Sequence, residues 1–176
     1  MALFIRRRKV RLSNHRTADS PLGSVRISYS DGPGAIVAVQ VPHTPIVTVI
    51  PDRQIGTMSM DERVIPCTTP RRSRWDPRRT ARTRTALVGD RAYELRPTGL
   101  RRAQLRRNGE LIAEACGTLA AYSPFRTIPG LDAGLAWSGR VDTTDVAIGQ
   151  SMVIAYGAGA PGGIASFLAI WLDWLS

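Results

Sequence analysis

LRRAQLRRNGELIAEA, residues 100–115, is the stretch on which the fold turns. Leu100–Arg107 and Glu110–Ala115 bracket Asn108-Gly109, the pair that most readily takes the positive φ angles of a type I′ turn. The stretch therefore reads as a β-hairpin. Just upstream, Ala86-Leu87-Val88 and Ala92-Tyr93-Glu94-Leu95 flank Gly89-Asp90, which predicts a second hairpin beside the first.

Moving toward the N-terminus, residues 66–85 (PCTTPRRSRWDPRRTARTRT) have almost no apolar periodicity and much charge, and a long exposed loop is expected there. Before it, Ala35–Val41 and Ile46–Ile50 are short and β-branched. Pro42-His43-Thr44-Pro45 separates them, and its prolines cannot donate ladder hydrogen bonds. Val25, Ile27 and Tyr29 alternate with Arg26 and Ser28, the period of a half-buried strand, and Asp31-Gly32-Pro33-Gly34 supplies a turn. The first twenty residues mix Arg6, Arg7, Arg8, Lys9, Arg11 and Arg16 with polar residues and read as a basic arm or a charged edge strand.

Toward the C-terminus, Leu119–Tyr122 and Leu135–Val141 are further strand candidates. Asp142, Thr143 and Thr144 can then cap a helix starting near Asp145, in which Val146, Gly149, Met152, Val153 and Tyr156 recur at helical spacing. Gly157–Gly163 interrupts it. Ile164–Leu175 is a second helix candidate, apolar almost all round, which must be buried in a core or in lipid. The expected fold is α+β and β-rich, with antiparallel strands and hairpins, open to arrangement as a barrel, and one or two apolar C-terminal helices. A basic N-terminal arm over 1–22 precedes a single domain over 23–176, which contains the arginine-rich loop 66–85 and the helical region 143–176. A chain of 176 residues is long enough to bury a real core.

The net charge of +10 rests on 23 arginines and one lysine. Arginine excess can follow from coding bias, but clustering does not. Residues 1–30 carry +6, residues 31–70 carry −2, residues 71–107 carry +10 and residues 108–176 carry −4. The densest segment sets Trp75 among Arg71, Arg72, Arg74, Arg78, Arg79, Arg82 and Arg84. Guanidinium forks pair with phosphate, and an interleaved indole can stack on a base or sit at a lipid headgroup boundary. With Arg6, Arg7 and Arg8 these residues form the candidate anion-binding set.

Catalytic patterns fit poorly. Gly157-Ala158-Gly159-Ala160-Pro161-Gly162 satisfies GxGxxG between an apolar stretch that could be a strand and a helix, but the chain runs only fourteen residues past Gly162, too few for the second strand and acidic ribose ligand. Gly149-Gln150-Ser151-Met152-Val153 has valine where a nucleophile elbow needs glycine. His15 and His43 have no assignable triad partner. Cys67, Cys116 and the histidines lack metal-ligand spacing, and a Cys67–Cys116 disulfide is left open. Asp61-Glu62 point to different sides of a strand, while Asp142 and Asp145 suit a helix N-terminus. No cofactor, metal or enzymatic activity is expected. Met152–Leu172 is free of charge over 21 positions, yet Pro161-Gly162-Gly163 breaks it and acidic residues flank it, so buried helices are favoured over a membrane anchor. The opening MALFIRRRKVRL is too short before its charge run for a secretory signal, which favours a cytoplasmic chain, peripheral at the membrane if lipid is its partner.

The hairpin from Tyr93-Glu94-Leu95 to Asn108-Gly109-Glu110-Leu111-Ile112, followed later by a terminal apolar helix, resembles the tubby C-terminal-like group that includes LURP-one-related and scramblase-like proteins. The resemblance covers about residues 23–176. It implies a closed β-barrel around a hydrophobic C-terminal helix, which would accommodate Ile164–Leu175, and binding to membrane phospholipid in place of catalysis. The long arginine loop and the glycine-proline break depart from that pattern, and no ligand residue carries over. The expected function is a non-enzymatic module meeting an anionic surface, first of all membrane phospholipid. Nucleic-acid binding through the arginine-rich loop and a structural or assembly role against an acidic partner chain are the alternatives.

Overall fold

The computed structural model of the chain describes residues 12–68, 82–119 and 127–160. Twelve strands and one helix follow one another in these residues. β1 (Asn14–Ser20), β2 (Gly23–Tyr29), β3 (Val37–Gln40), β4 (Val47–Ile50), β5 (Thr57–Met60) and β6 (Arg63–Ile65) make one antiparallel sheet in sequence order. β7 (Cys67–Thr68), β8 (Arg84–Val88), β9 (Arg91–Pro97), β10 (Arg102–Arg107), β11 (Glu110–Cys116) and β12 (Gly134–Trp137) make the second, again neighbour to neighbour. Helix α1 (Thr143–Tyr156) packs against strands of both.

Period-2 alternation builds the first sheet. Tyr29, Val37, Val49, Met58 and Ile65 stand opposite one another across five strands, and Ile27, Val39, Val47 and Met60 form the next row. Most of these side chains are fully buried, and β-branched cross-strand pairs of this kind stabilise a sheet. The inner face of the second sheet is shallower, with Ala86, Ala103, Ala113 and Ala115 all buried, and the helix fills the depth left. At Gly149 of α1 an added Cβ would lie 2.4 Å from a Leu105 methyl and 2.9 Å from the Trp137 ring, so helix and sheet meet with no room for a methyl group. A bulge at Leu105/Arg106 lets Ile112 and Ala113 of β11 both face inward.

The two expected hairpins are present, and Asn108 and Gly109 have φ of 50° and 86°, as a type I′ turn requires. Three expectations need correction. Of the two readings of the first twenty residues, the charged edge strand holds over 14–20, paired along its length with β2, so the arm boundary drawn at 22 is too late and the sheet begins well before residue 23. Residues 66–85 are not all loop, because Cys67–Thr68 and Arg84–Val88 pair as β7 and β8; the part over 69–81 lies outside the described residues. Gly157 does not follow a strand: it ends α1 with φ 84° and donates its N–H to the Val153 carbonyl at 2.7 Å, so the glycine-rich run follows a helix.

The helix buried on every face is α1 itself, since each residue from Asp145 to Tyr156 is buried. Ile164–Leu175, where that property was expected, lies outside the described residues. Leu119 is in no strand, the rest of the 119–122 candidate is not described, and β12 stops at Trp137. The sheets do not close into one hydrogen-bonded barrel among the described residues. β6 approaches β8, and β1 approaches β12, without ladder pairing. No helix among the described residues is long and apolar enough to cross a membrane.

Strand parity gives the molecule two unlike ends. β1 begins, and β2, β4 and β6 finish, at one end, and β7 continues the course of β6 past Pro66. That loop end carries the chain preceding β1 and the connections 30–36, 51–56, 69–83, 98–101 and 117–133. The opposite, turn end has four two-residue connections: Pro21-Leu22, Asp61-Glu62, Gly89-Asp90 and Asn108-Gly109. Helix α1 starts at the turn end, against Arg91 and Arg107, and finishes at the loop end, against Asp52, Gly56 and Arg84.

Candidate anion-contacting end

At the turn end, a capping box starts the helix: the Asp142 carboxylate accepts from the Asp145 N–H and the Asp145 carboxylate accepts from the Asp142 N–H, both at 2.9 Å. Asp145 is 0% exposed. A carboxylate taken out of water needs full compensation, and here Arg107 donates at 2.5 Å, the Tyr93 hydroxyl at 2.7 Å and Arg91 at 3.2 Å. Burial, followed by the neighbouring Asp145, pushes the Tyr93 hydroxyl pKa well up, so it stays a donor. The Arg91 pKa is raised by its bonds to Tyr93 and Asp142. For Asp142, burial works upward but is outweighed by backbone N–H groups and Arg91, which hold the carboxyl below its ordinary range. The bonds of this network all run within the fold. It pins the helix to β9 and β10.

At the loop end, α1 is held mainly by neutral bonds. The Tyr156 hydroxyl donates to the Gly56 carbonyl at 2.7 Å, and the Asp52 N–H donates to the Ala155 carbonyl at 3.0 Å. The Arg84 guanidinium lies over the Tyr156 ring at 5.4 Å and donates to the Arg53 carbonyl at 2.6 Å. Arg84 is thereby turned inward, its pKa lowered by burial, and it serves the fold before it could serve an anion. Arg82 sits half-buried where the chain enters β8. Arg6, Arg7, Arg8, Arg71, Arg72, Arg74, Trp75, Arg78 and Arg79 lie outside the described residues.

The points where those segments join the body are described, and they coincide in end. Residues 1–11 lead into β1 and residues 69–81 join β7 to β8, both at the loop end. By sequence the first segment carries five basic residues and no acid, and the second carries five arginines and Asp76. Together they hold +9 of the chain's +10, while the described residues balance thirteen arginines against twelve acids. Even that body is polarised. Its loop end has Arg16, Arg53, Arg82, Arg84, Arg101 and Arg102 against Asp31, Asp52 and Asp132, whereas the acids of the turn end outnumber its arginines seven to four.

Other sequence candidates are scattered. His15 meets the Ser28 hydroxyl at 3.0 Å on the outside of β1, and His43 is exposed in its proline corner with φ 60°. Asp61 and Glu62 are the exposed positive-φ residues of the β5–β6 turn. Ser151 bonds back to the Ala147 carbonyl at 2.6 Å inside α1, and is no nucleophile at an elbow. Cys67 and Cys116 are free; β8, β9 and β10 lie between them, and at about 4.8 Å per strand they are well beyond the roughly 7 Å between Cα atoms that a disulfide spans. Burial pushes the Cys67 thiol pKa up, partly offset by its bond with Tyr156. Among the described residues no cluster of His, Cys, Asp or Glu could hold a metal ion.

Sequence reasoning read Asp142 and Asp145 as helix-terminal charges and missed their partners. The signal was present: Arg91, Tyr93 and Leu95 alternate onto one face of β9, which puts an arginine on a strand's buried side. The common end of the two basic segments was also countable, once strands β5, β6 and β7 were recognised. No family model matches the chain, nor does any curated protein or solved structure.

Proposed function

We propose that the protein is a non-enzymatic module that docks on anionic phospholipid membrane with its loop end. The single observation carrying this reading is that both strongly basic segments join the body at that one end, leaving the opposite end acidic. Such a charge split orients the molecule on approach to an anionic surface. Each basic residue near such a surface contributes about 1 kcal/mol within a screening length, so +9 on two segments that join the body at one end suffices for salt-sensitive binding. Arg6, Arg7, Arg8, Arg71, Arg72, Arg74, Arg78, Arg79 and Arg82 are the phosphate contacts in this reading, with Trp75 at the headgroup boundary. Arg84 leaves the set because its guanidinium is occupied inside the fold. The resemblance to the tubby C-terminal-like group supports the same partner class, and in this reading the protein is peripheral at a cytoplasmic membrane face.

The test is co-sedimentation with phosphatidylcholine vesicles with and without phosphatidylserine. The expected result is binding that requires phosphatidylserine, weakens with salt and is largely lost when Arg71, Arg72, Arg74, Arg78 and Arg79 become serine. Equal binding to both vesicle types would remove the proposal. Nucleic acid is the alternative partner of the same arginines, and a gel shift whose affinity falls steeply with salt, without vesicle binding, would favour it.

A further inference from the structure

We infer that the loop end enters the bilayer, with Ile55, Leu100 and Leu119 buried at the boundary between headgroups and acyl chains. This rests on the lipid reading above and adds a mode of attachment that charge alone does not supply.

Three loops converge on the segment that follows α1. In loop 51–56 the Arg53 guanidinium donates to the Gly159 carbonyl at 3.4 Å. In loop 98–101 the Gly99 carbonyl accepts from the Ala160 N–H at 3.1 Å, and a Cβ on Gly159 would lie 2.3 Å from the Leu100 carbonyl oxygen. Loop 117–119 joins through the Gly117 N–H, which donates to the Arg101 carbonyl at 2.7 Å. Each loop presents one large apolar side chain to the outside: Ile55 is 78% exposed, Leu119 57% and Leu100 37%.

Single exposed apolar residues are ordinary, and these would mean little if scattered or loosely held. They are gathered around one segment, and Ile55 is held out by a bonded turn. The Asp52 carboxylate accepts from the N–H groups of Gln54 at 2.7 Å and Ile55 at 3.0 Å, the Gly56 N–H donates to the Asp52 carbonyl at 3.0 Å, and Asp52 is itself tied to Ala155. An isoleucine fixed in water by four hydrogen bonds gains nothing for folding. It is preordered for a partner that takes it out of water without further entropy loss. The partner's chemistry follows from the setting: Arg53, Arg101 and Arg102 stand beside these residues, on the end to which both basic segments attach. An apolar tip ringed by cations suits an anionic bilayer, where headgroup phosphates meet the arginines and acyl chains cover the tip.

The test uses the full chain with vesicles of phosphatidylcholine and phosphatidylserine, comparing Ile55→Glu with Ile46→Glu, a similarly apolar exposed residue at the turn end. The expected result is that Ile55→Glu and Leu119→Glu each lower the partition coefficient roughly fivefold or more and reduce the critical insertion pressure of a lipid monolayer, while Ile46→Glu changes neither. Thermal melting of each variant confirms an unchanged fold. If wild type binds only anionic vesicles but Ile55→Glu binds equally well, the insertion is overturned and the lipid reading survives. If no variant and no wild type binds any vesicle, the lipid reading itself has failed and the insertion falls with it. A lowered melting temperature in Ile55→Glu with unchanged partitioning would also overturn the insertion, since it would mean that the chain itself covers the loop tip.

Discussion

The two ends of α1 are held by different kinds of force. At the turn end a fully buried carboxylate is gripped by two arginines, a tyrosine hydroxyl and a backbone N–H. At the loop end a tyrosine hydroxyl and backbone amides hold the last turn, Arg84 stacks on the tyrosine ring and Arg53 donates to a backbone carbonyl. Charge spent inside the turn end leaves that end compact and chemically quiet. At the loop end the described arginines Arg16, Arg101 and Arg102 are exposed, and the two strongly basic segments join the body there. The difference assigns stability to one end and contact to the other.

The largest effect should come from Asp145→Ala, which leaves Arg91 and Arg107 facing each other over an empty site; breaking a buried pair this way costs about 3–5 kcal/mol, read as a lower urea midpoint. Vesicle partitioning of the fraction still folded should be unchanged, and a parallel loss of both would break the division between the ends. Tyr156→Phe should cost about 0.5–1.5 kcal/mol, chiefly the loss of the neutral bond to Gly56, with the weaker contact to the Cys67 thiol lost beside it. A cost as large as that of Asp145→Ala would show that the neutral end carries as much as the ionic one.

The smallest effect is electrostatic and sharpens the assignment. The Asp142 carboxyl is held below its ordinary value of 3.8 in the folded protein. A depressed carboxyl stabilises the fold above that ordinary value and ceases to do so as pH falls through the lowered one. Urea midpoints should therefore decline on acidification below pH 3.8, and Asp142→Asn, which still caps the helix, should flatten that decline.

Much of the strand content was legible because the turn end is written in local chemistry. Asn108-Gly109 and Gly89-Asp90 announce their turns, and the Val-rich strands β3 and β4 alternate openly. The turn between β5 and β6 is not so marked: Asp61 and Glu62 adopt φ of 49° and 64° with no glycine, and Thr57–Met60 has too few apolar residues to declare itself. The helix from near Asp145 was expected, but its burial on every face was not legible, for a related reason. Gly149, Gln150 and Ser151 dilute the hydrophobicity of α1, so Ile164–Leu175 looked the more buried of the two, although tight packing against Leu105 and Trp137 is what requires the glycine. Of the candidate site, the basic residues were legible and their shared end was not, since that depends on counting every strand between them.

The position of α1 in the chain has a consequence for how the molecule is made. Its partners on β3, β4, β5 and β9 lie far upstream, so both sheets are synthesised before the element that fills their interior. Until residue 156 leaves the ribosome, the valine rows of the first sheet have no helix to cover them, and the nascent chain carries its exposed core through most of translation. Docking the helix is thus a long-range step, which carries a larger loop-closure cost than the neighbouring-strand hairpins made before it.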